Sequence, residues 1–204
     1  MDHLWLEFAK KVHAIAETGL TFKNNEYDSE RYEQLKELSF EMLSKLGNET
    51  TEVIRDLFAH QKGYQTPKVD VRGVIFEGDK ILMVQEKVDG CWTLPGGWAD
   101  VGLTPNENAV KEVWEEAGIK VEPVRLLAVM DKKCHNHPPT PWYSYKIFIL
   151  CKHISGEIKP GLETLDVGYF EKDNHPPLSV ERITQEQIDI MYNLSINKEL
   201  MWCD

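Results

Sequence analysis

The chain has no uninterrupted apolar run of membrane-spanning length. A helix through a bilayer needs about 20 predominantly apolar residues, so no helical span is expected. Cysteine is scarce: Cys91, Cys134, Cys151 and Cys203 are widely spaced, and no two form a C-x-x-C pair. That usage argues against a disulfide framework and reads as the reduced thiols of a cytoplasmic chain. Basic residues are also in deficit, 23 Lys and Arg against 34 Asp and Glu, a formal net charge of −11. Broad nucleic-acid binding draws on basic patches and is therefore not expected. A phosphate-bearing substrate remains open, because a bound cation can neutralise an acidic site first. Asp2, Glu7 and Lys10 interrupt the apolar residues near the start, so no secretory leader is expected. Neither an internal repeat nor a low-complexity tract is present. At 204 residues the chain can hold one full domain and an appendage.

What is present is concentrated between Leu94 and Val121 (LPGGWADVGLTPNENAVKEVWEEAGIKV). Thr104 stands where an N-cap belongs, Pro105 takes the first helical position, and Glu107 completes a capping box. Gly118 supplies the left-handed residue that ends the helix. Val110, Val113 and Ala117 form an apolar stripe for burial. Glu112, Glu115 and Glu116 stand at i, i+3 and i+4, which gathers three carboxylates on an adjoining face. Like charges so placed repel by roughly 0.2–0.5 kcal/mol per pair. A divalent cation turns that repulsion into attraction, since hard cations take oxygen ligands. The glycine turn at Gly96 and Gly97, just before the helix, allows main-chain carbonyls to approach a ligand closely.

The spacing from Gly97 through Lys111-Glu112 and Glu115-Glu116 to Gly118 resembles the Nudix box, G-x5-E-x7-R-E-U-x-E-E-x-G-U with U apolar. Two positions depart from it: Leu103 stands where the family usually has Glu, and Lys111 where it has Arg. Those two commonly brace the loop, and Asp100 can brace Lys111 instead. The resemblance implies an α/β fold, a Nudix α/β/α sandwich with a mixed sheet. It also implies a metal-dependent pyrophosphatase using Mg2+, with Mn2+ possible. Glu112 and Glu116 are then the preferred side-chain metal ligands, with Glu115 a further ligand or water-holder. The Gly96 carbonyl is the main-chain ligand carried over from the family.

Ahead of the box, residues from about 3 to 62 are expected to form three helices. Leu4, Phe8, Val12 and Ile15 make one apolar stripe; Leu35, Leu38, Met42 and Leu46 make a second, ended by Gly47. Val53, Ile54, Leu57 and Phe58 belong to a shorter third helix. Three helices in some sixty residues make a marginal core, so their apolar faces need a second surface. This all-helical N-terminal domain, most clearly over Thr18–Leu35, resembles the extension that precedes the Nudix domain in bacterial nucleoside diphosphate-X hydrolases. That resemblance implies a homodimer and a substrate such as ADP-ribose or CDP-choline. The expected division is 1–62 for the helical domain and 68–204 for the Nudix domain, with Gly63–Pro67 as linker.

Strand signals follow at Val69–Phe76 and Ile81–Gln85, joined by a turn at Glu77-Gly78-Asp79. Cys91–Leu94 is a short strand into the glycine turn. After the box helix come Val121–Met130, Tyr143–Lys152 and Val167–Phe170. Thr184 to Gln187 opens a closing helix through Ile188, Met191 and Leu194. Acidic candidates for a general base outside the box are Glu157, Glu163 and Asp166. Glu163 is favoured because Gly161–Asp166, just before a short strand, resembles the loop that carries the base in the family. Arg72 is a candidate phosphate grip, or equally a surface ion pair. Trp92, Trp98 and Trp142 are candidates for stacking on a base or for packing. Cys134-His135-Asn136-His137 falls short of a four-ligand zinc site, and His135 and His137 are left open as substrate contacts. Two function classes remain: a pyrophosphatase, or a non-catalytic nucleotide sensor on the same fold. The three intact carboxylates favour the enzyme. Damaged nucleotides and RNA 5′ ends stand behind the nucleoside diphosphate-X substrates.

Overall fold

Asn25 and Thr50 start two helices by accepting hydrogen bonds from the main-chain N–H groups of Asp28 (2.8 Å) and Val53 (3.3 Å). With the segment before them they make α1 (Asp2–Phe22), α2 (Glu26–Gly47) and α3 (Thr51–Phe58). The computed structural model describes residues 2–197 and 200–204, and the chain clusters into two units. The first comprises residues up to Pro67 together with Pro139–Trp142, which the sequence-based division at 1–62 did not include. Its core is Ala9, Phe40, Leu43, Ile54 and Phe58, with the Trp142 ring 4.6 Å from that of Phe58.

Helix phase in this unit departs from expectation. Leu4, Phe8 and Ile15 are exposed, and α1 instead buries Ala9, His13 and Ala16. Small residues let α1 approach α2 closely: a Cβ on Gly19 would lie 2.3 Å from the Tyr32 ring. The second stripe is likewise displaced, since Leu38 is exposed while Phe40 and Leu43 are buried. Gly47 remains helical, and Asn48 takes the left-handed conformation (φ 52°) that ends α2.

The second unit is a mixed eight-stranded sheet between two helices. Its elements are β1 (Lys68–Glu77), β2 (Lys80–Glu86), β3 (Trp92–Thr93), β4 (Gly96–Trp98), α4 (Pro105–Ala117), β5 (Lys120–Asp131), β6 (Ser144–Ser155), β7 (Thr164–Glu171), α5 (Gln185–Ile196) and β8 (Trp202–Cys203). The main path is β3-β2-β1-β6-β5-β8, with β4 paired to β1 and β7 to β2. β1 lies parallel to β6 and is shared along its length: Asp70–Arg72 pair with β4, and Phe76–Glu77 with β2. Strand alternation then sends side chains to two cores. Val71, Ile75, Leu82 and Val84 pack with Ala109, Val113 and Ala117 of α4. Val74, Ile81, Met83 and Phe148 pack with Ile188, Met191 and Leu194 of α5. This α/β/α layering is the one expected. Among the described residues, no helix is long and apolar enough to cross a membrane.

Candidate active site

Helix α4 is fixed at both ends by the chemistry read from its sequence. Thr104 and Glu107 form the reciprocal capping box, and Gly118 closes the helix at φ 72°. The turn opposite is held just as firmly. Gly96 (φ 141°) pairs with Arg72 of β1, where an added Cβ would fall 2.1 Å from the Val71 carbonyl oxygen. Only glycine fits there.

The carboxylates of Glu112 and Glu116, one helical turn apart, rise toward this turn. Glu116 is buried, and its Oε2 accepts the Gly96 N–H at 2.8 Å. Glu112 is half-buried beside Gly97, its Oε2 3.6 Å from where a Gly97 Cβ would stand. Glu115 is exposed and accepts from Lys111 Nζ at 2.7 Å. Lys111 also pairs with Asp100 (3.3 Å), the brace that substitutes for the family's usual pair, and with Glu112 (3.6 Å).

Electrostatics sharpen the picture. Burial pushes the Glu116 carboxyl up to about 8, against the pull of Arg72 and the Gly96 N–H. Burial also raises Glu112, with Lys111 opposing. Burial raises Glu86 too, with Arg182 opposing. Arg72 cannot relieve them alone. Its guanidinium donates to both Asp70 oxygens (2.8 and 2.9 Å) and to the Leu94 carbonyl (3.0 Å), and its side chain is 4% exposed. Asp70 also pairs with buried Lys146 at 3.1 Å. Arg72 therefore ties the strand β1 to the glycine turn from beneath.

The loop before β7 is laced to the C-terminal end of α4. Lys159 N–H bonds the Ala117 carbonyl (3.0 Å), and Thr164 Oγ1 donates to the Glu116 carbonyl (2.9 Å) while accepting from Gly161 N–H (2.7 Å). Glu163 is exposed in this loop, with its main-chain carbonyl accepting from Lys87 N–H at 3.2 Å.

The donor set fits a hard divalent cation. The buried Glu116 carboxylate and the half-buried Glu112 carboxylate face a main-chain turn, an oxygen-rich donor set. Among the described residues, no three His, Cys, Asp or Glu side chains converge as a ready ligand group, and Glu115 is paired with Lys111.

Residues 66–187 match the family described as the NUDIX domain. This chain is a Nudix hydrolase. Residues 3–58 match the UDP-X-like, N-terminal oligomerisation domain. A Bacillus subtilis (strain 168) protein, provisionally named ADP-ribose pyrophosphatase YjhB, is 48% identical over 93% of this chain and 91% of its own. An ADP-ribose pyrophosphatase from Streptococcus suis 89-1591 is 44% identical and superposes with a TM-score of 0.62, covering 68% of this hydrolase and 100% of that chain. A UDP-X diphosphatase structure is 34% identical, with a TM-score of 0.65 over 100% of this chain and 99% of that one. Nudix hydrolases generally use divalent metal ions, in keeping with the carboxylates described above.

Several candidates lie away from the carboxylates or are otherwise occupied. Trp92 of this hydrolase is buried, edge-on to Phe170 at 4.7 Å, and belongs to the α5-side core. Trp98 is the exposed tryptophan of the turn, with Lys68 Nζ 5.6 Å from its ring. His135 bonds Asp204 (3.0 Å) and His137 the Val180 carbonyl (2.6 Å), while Cys134 is exposed. Asp166 Oδ1 accepts the neighbouring Val167 N–H at 2.8 Å.

Glu86 and Arg182 went unnoticed in the sequence. Glu86 ends β2 on the same parity as buried Leu82 and Val84, and that inward phase was the available signal. Arg182 carried none, because its partners Glu86 (3.2 Å) and Asp89 (3.3 Å) are remote in sequence.

Proposed function

We propose that this Nudix hydrolase cleaves the diphosphate bond of a nucleoside diphosphate joined to a second group, with ADP-ribose ahead of CDP-choline. The products are a nucleoside monophosphate and the phosphorylated second group. The observation that carries this reading is the convergence of buried Glu116 and half-buried Glu112 on the Gly96-Gly97 turn. The names of the Bacillus and Streptococcus relatives support ADP-ribose, and the UDP-X diphosphatase supports the wider substrate class. The setting is the cytoplasm, and the working form is a homodimer through the N-terminal helices.

Glu112, Glu116 and the Gly96 carbonyl would hold Mg2+ or Mn2+, with Glu115 a further ligand were it freed from Lys111. When bound, the cation neutralises charge on the phosphate oxygens and makes water a better nucleophile. Arg72 frames the turn by holding the Leu94 carbonyl. Glu163 takes a proton from the attacking water as the new P–O bond forms and the bridging P–O bond breaks. The bridging oxygen leaves with the second phosphate.

A panel of nucleoside diphosphate derivatives incubated with Mg2+ or Mn2+, with products separated by chromatography, tests the proposal. ADP-ribose should yield AMP and ribose 5-phosphate, with no turnover after chelation. Hydrolysis confined to nucleoside triphosphates or RNA ends would overturn it.

A further inference from the structure

Binding a diphosphate through carboxylates and a cation leaves a second anionic phosphate to be met, and the obvious arginine is spent. Arg72 is 4% exposed at its side chain and donates to Asp70 and Leu94. The segment Pro176–Ile183 provides another. It runs alongside β3 as a strap: Trp92 N–H bonds the Pro177 carbonyl (2.9 Å) and Ser179 N–H bonds the Trp92 carbonyl (2.8 Å). Main-chain bonds from Arg182 (2.7 Å) and Ile183 (2.9 Å) to the Ser179 carbonyl then close a turn just before α5. Arg182 leaves that turn toward the end of β2. Its Nε pairs with Glu86 Oε1 (3.2 Å), and its Nη1 with Asp89 (3.3 Å) and Ser179 Oγ (2.9 Å). Ser179 Oγ in turn donates to Asp89 at 2.6 Å.

Two facts separate Arg182 from Arg72. Its side chain is 26% exposed, and among the described residues its Nη2 nitrogen has no hydrogen-bond partner. Its chief anion, Glu86, is buried and lies within electrostatic reach of Arg72, Glu116 and Glu163. Glu86 also pairs across the sheet with Thr164, whose hydroxyl donates to the Glu116 carbonyl, so the guanidinium is linked through Glu86 to the end of α4, held by fixed carboxylates and with one edge available. Planar forks of this kind match phosphate oxygens.

We propose that Arg182 is the phosphate-binding arginine of this hydrolase, positioned by Glu86 and Asp89 to take the substrate phosphate farther from the carboxylates on α4. This rests on the reading of a nucleoside diphosphate-X substrate. A bound phosphate fills the free edge of the guanidinium, and holding it before reaction cuts the entropy cost of alignment.

The test compares wild type with Arg182→Gln and Arg182→Lys. Steady-state hydrolysis of ADP-ribose gives kcat and KM, calorimetric titration of ADP in Ca2+ gives binding without turnover, and thermal unfolding reports the strap. The loss of a charge-assisted contact predicts KM and the ADP Kd weakened about tenfold to a hundredfold in Arg182→Gln. Arg182→Lys, which keeps charge but loses the fork, should weaken them less. A lowered Tm with unchanged KM and unchanged ADP binding would make Arg182 a structural tie and overturn the proposal. Should the Gln variant fail to fold, the Lys variant decides by the same two constants. Wild type that binds ADP yet hydrolyses no diphosphate derivative would sink the activity reading alone, since the ADP titration still judges Arg182.

Discussion

At Glu116, burial opposes the charge that a metal ligand must carry. Its carboxyl is pushed up to about 8 by burial, and the compensating Arg72 is already bound to Asp70. Glu116→Gln should keep the Gly96 N–H contact through its amide oxygen while abolishing the charge. Cation affinity and turnover should fall, turnover by roughly a hundredfold or more, while the metal-free protein melts no lower than wild type at pH 8. Calorimetric Mn2+ titration, ADP-ribose turnover and a melt of the chelated protein check this; unchanged Mn2+ affinity would refute the ligand assignment. His137 offers a second case remote from the carboxylates. Its Nδ1 donates to the Val180 carbonyl, and burial pushes it down to about 4. The ordinary value is 6.5, so between pH 6.5 and 4 the unfolded chain binds this proton more readily than the folded one. The stability linked to His137 is complete above pH 6.5 and is lost as pH falls toward 4. His137→Asn, which retains a donor for Val180 but does not titrate, should lose less Tm between pH 7 and 5 than wild type does. An equal loss in both proteins would clear His137 of that role.

At the scale of elements, the base role proposed for Glu163 depends on how the loop before β7 meets the end of α4. Gly161 makes the closest approach: a Cβ there would lie 1.7 Å from the Glu115 carbonyl oxygen. Gly161→Ala must push the loop off the helix and carry Glu163 with it. The expected result is a fall in kcat comparable to that of Glu163→Gln, with Mn2+ affinity retained. For Glu163→Gln itself, loss of a general base predicts kcat lowered by about 10²–10⁴-fold with little change in KM. Asp166→Asn should do much less, since its Oδ1 already accepts the neighbouring Val167 N–H. Reversal of that order in steady-state kinetics would move the base elsewhere. The same elements explain what was legible beforehand. Helix α4 could be read to the residue because Thr104, Pro105, Glu107 and Gly118 act locally, through bonds to neighbouring main chain. Strands β1, β2, β5 and β6 announced themselves by apolar runs. Strand β8 did not, for Trp202–Cys203 gains its conformation from pairing with Ala128 and Val129 of β5. The strap and its Arg182 were hidden for the same reason: their hydrogen bonds join segments far apart in the chain. Helix phase in α1 was misread because the largest apolar residues marked a stripe, whereas close approach to α2 selected Ala9 and Ala16.

For the whole molecule, that misread stripe becomes an argument about assembly. A unit of three helices whose core centres on Ala9, Phe40, Leu43, Ile54 and Phe58 has little surplus stability, and below about 70–80 residues such cores need reinforcement. Meanwhile α1 exposes Leu4 (59%), Trp5 (52%), Phe8 (41%), Ile15 (59%) and Phe22 (65%). Burying apolar surface yields about 25 cal/mol per Å2, so such a helix gains by covering it. The match of residues 3–58 to an N-terminal oligomerisation domain supports a second copy as the cover, and cyclic two-fold pairing is the commonest closed solution. Light scattering at micromolar concentration should give a mass near twice 23.6 kDa. Because association stabilises the folded state by mass action, Tm should rise with protein concentration. Phe8→Asp places a charge on the exposed apolar face without touching the buried Ala9–Phe40–Leu43 core. It should halve the mass and remove the concentration dependence of Tm, while Mn2+ binding at Glu112 and Glu116 persists. A wild-type monomer at micromolar concentration would refute the dimer. A Phe8→Asp protein that stays dimeric would move the interface off this face of α1.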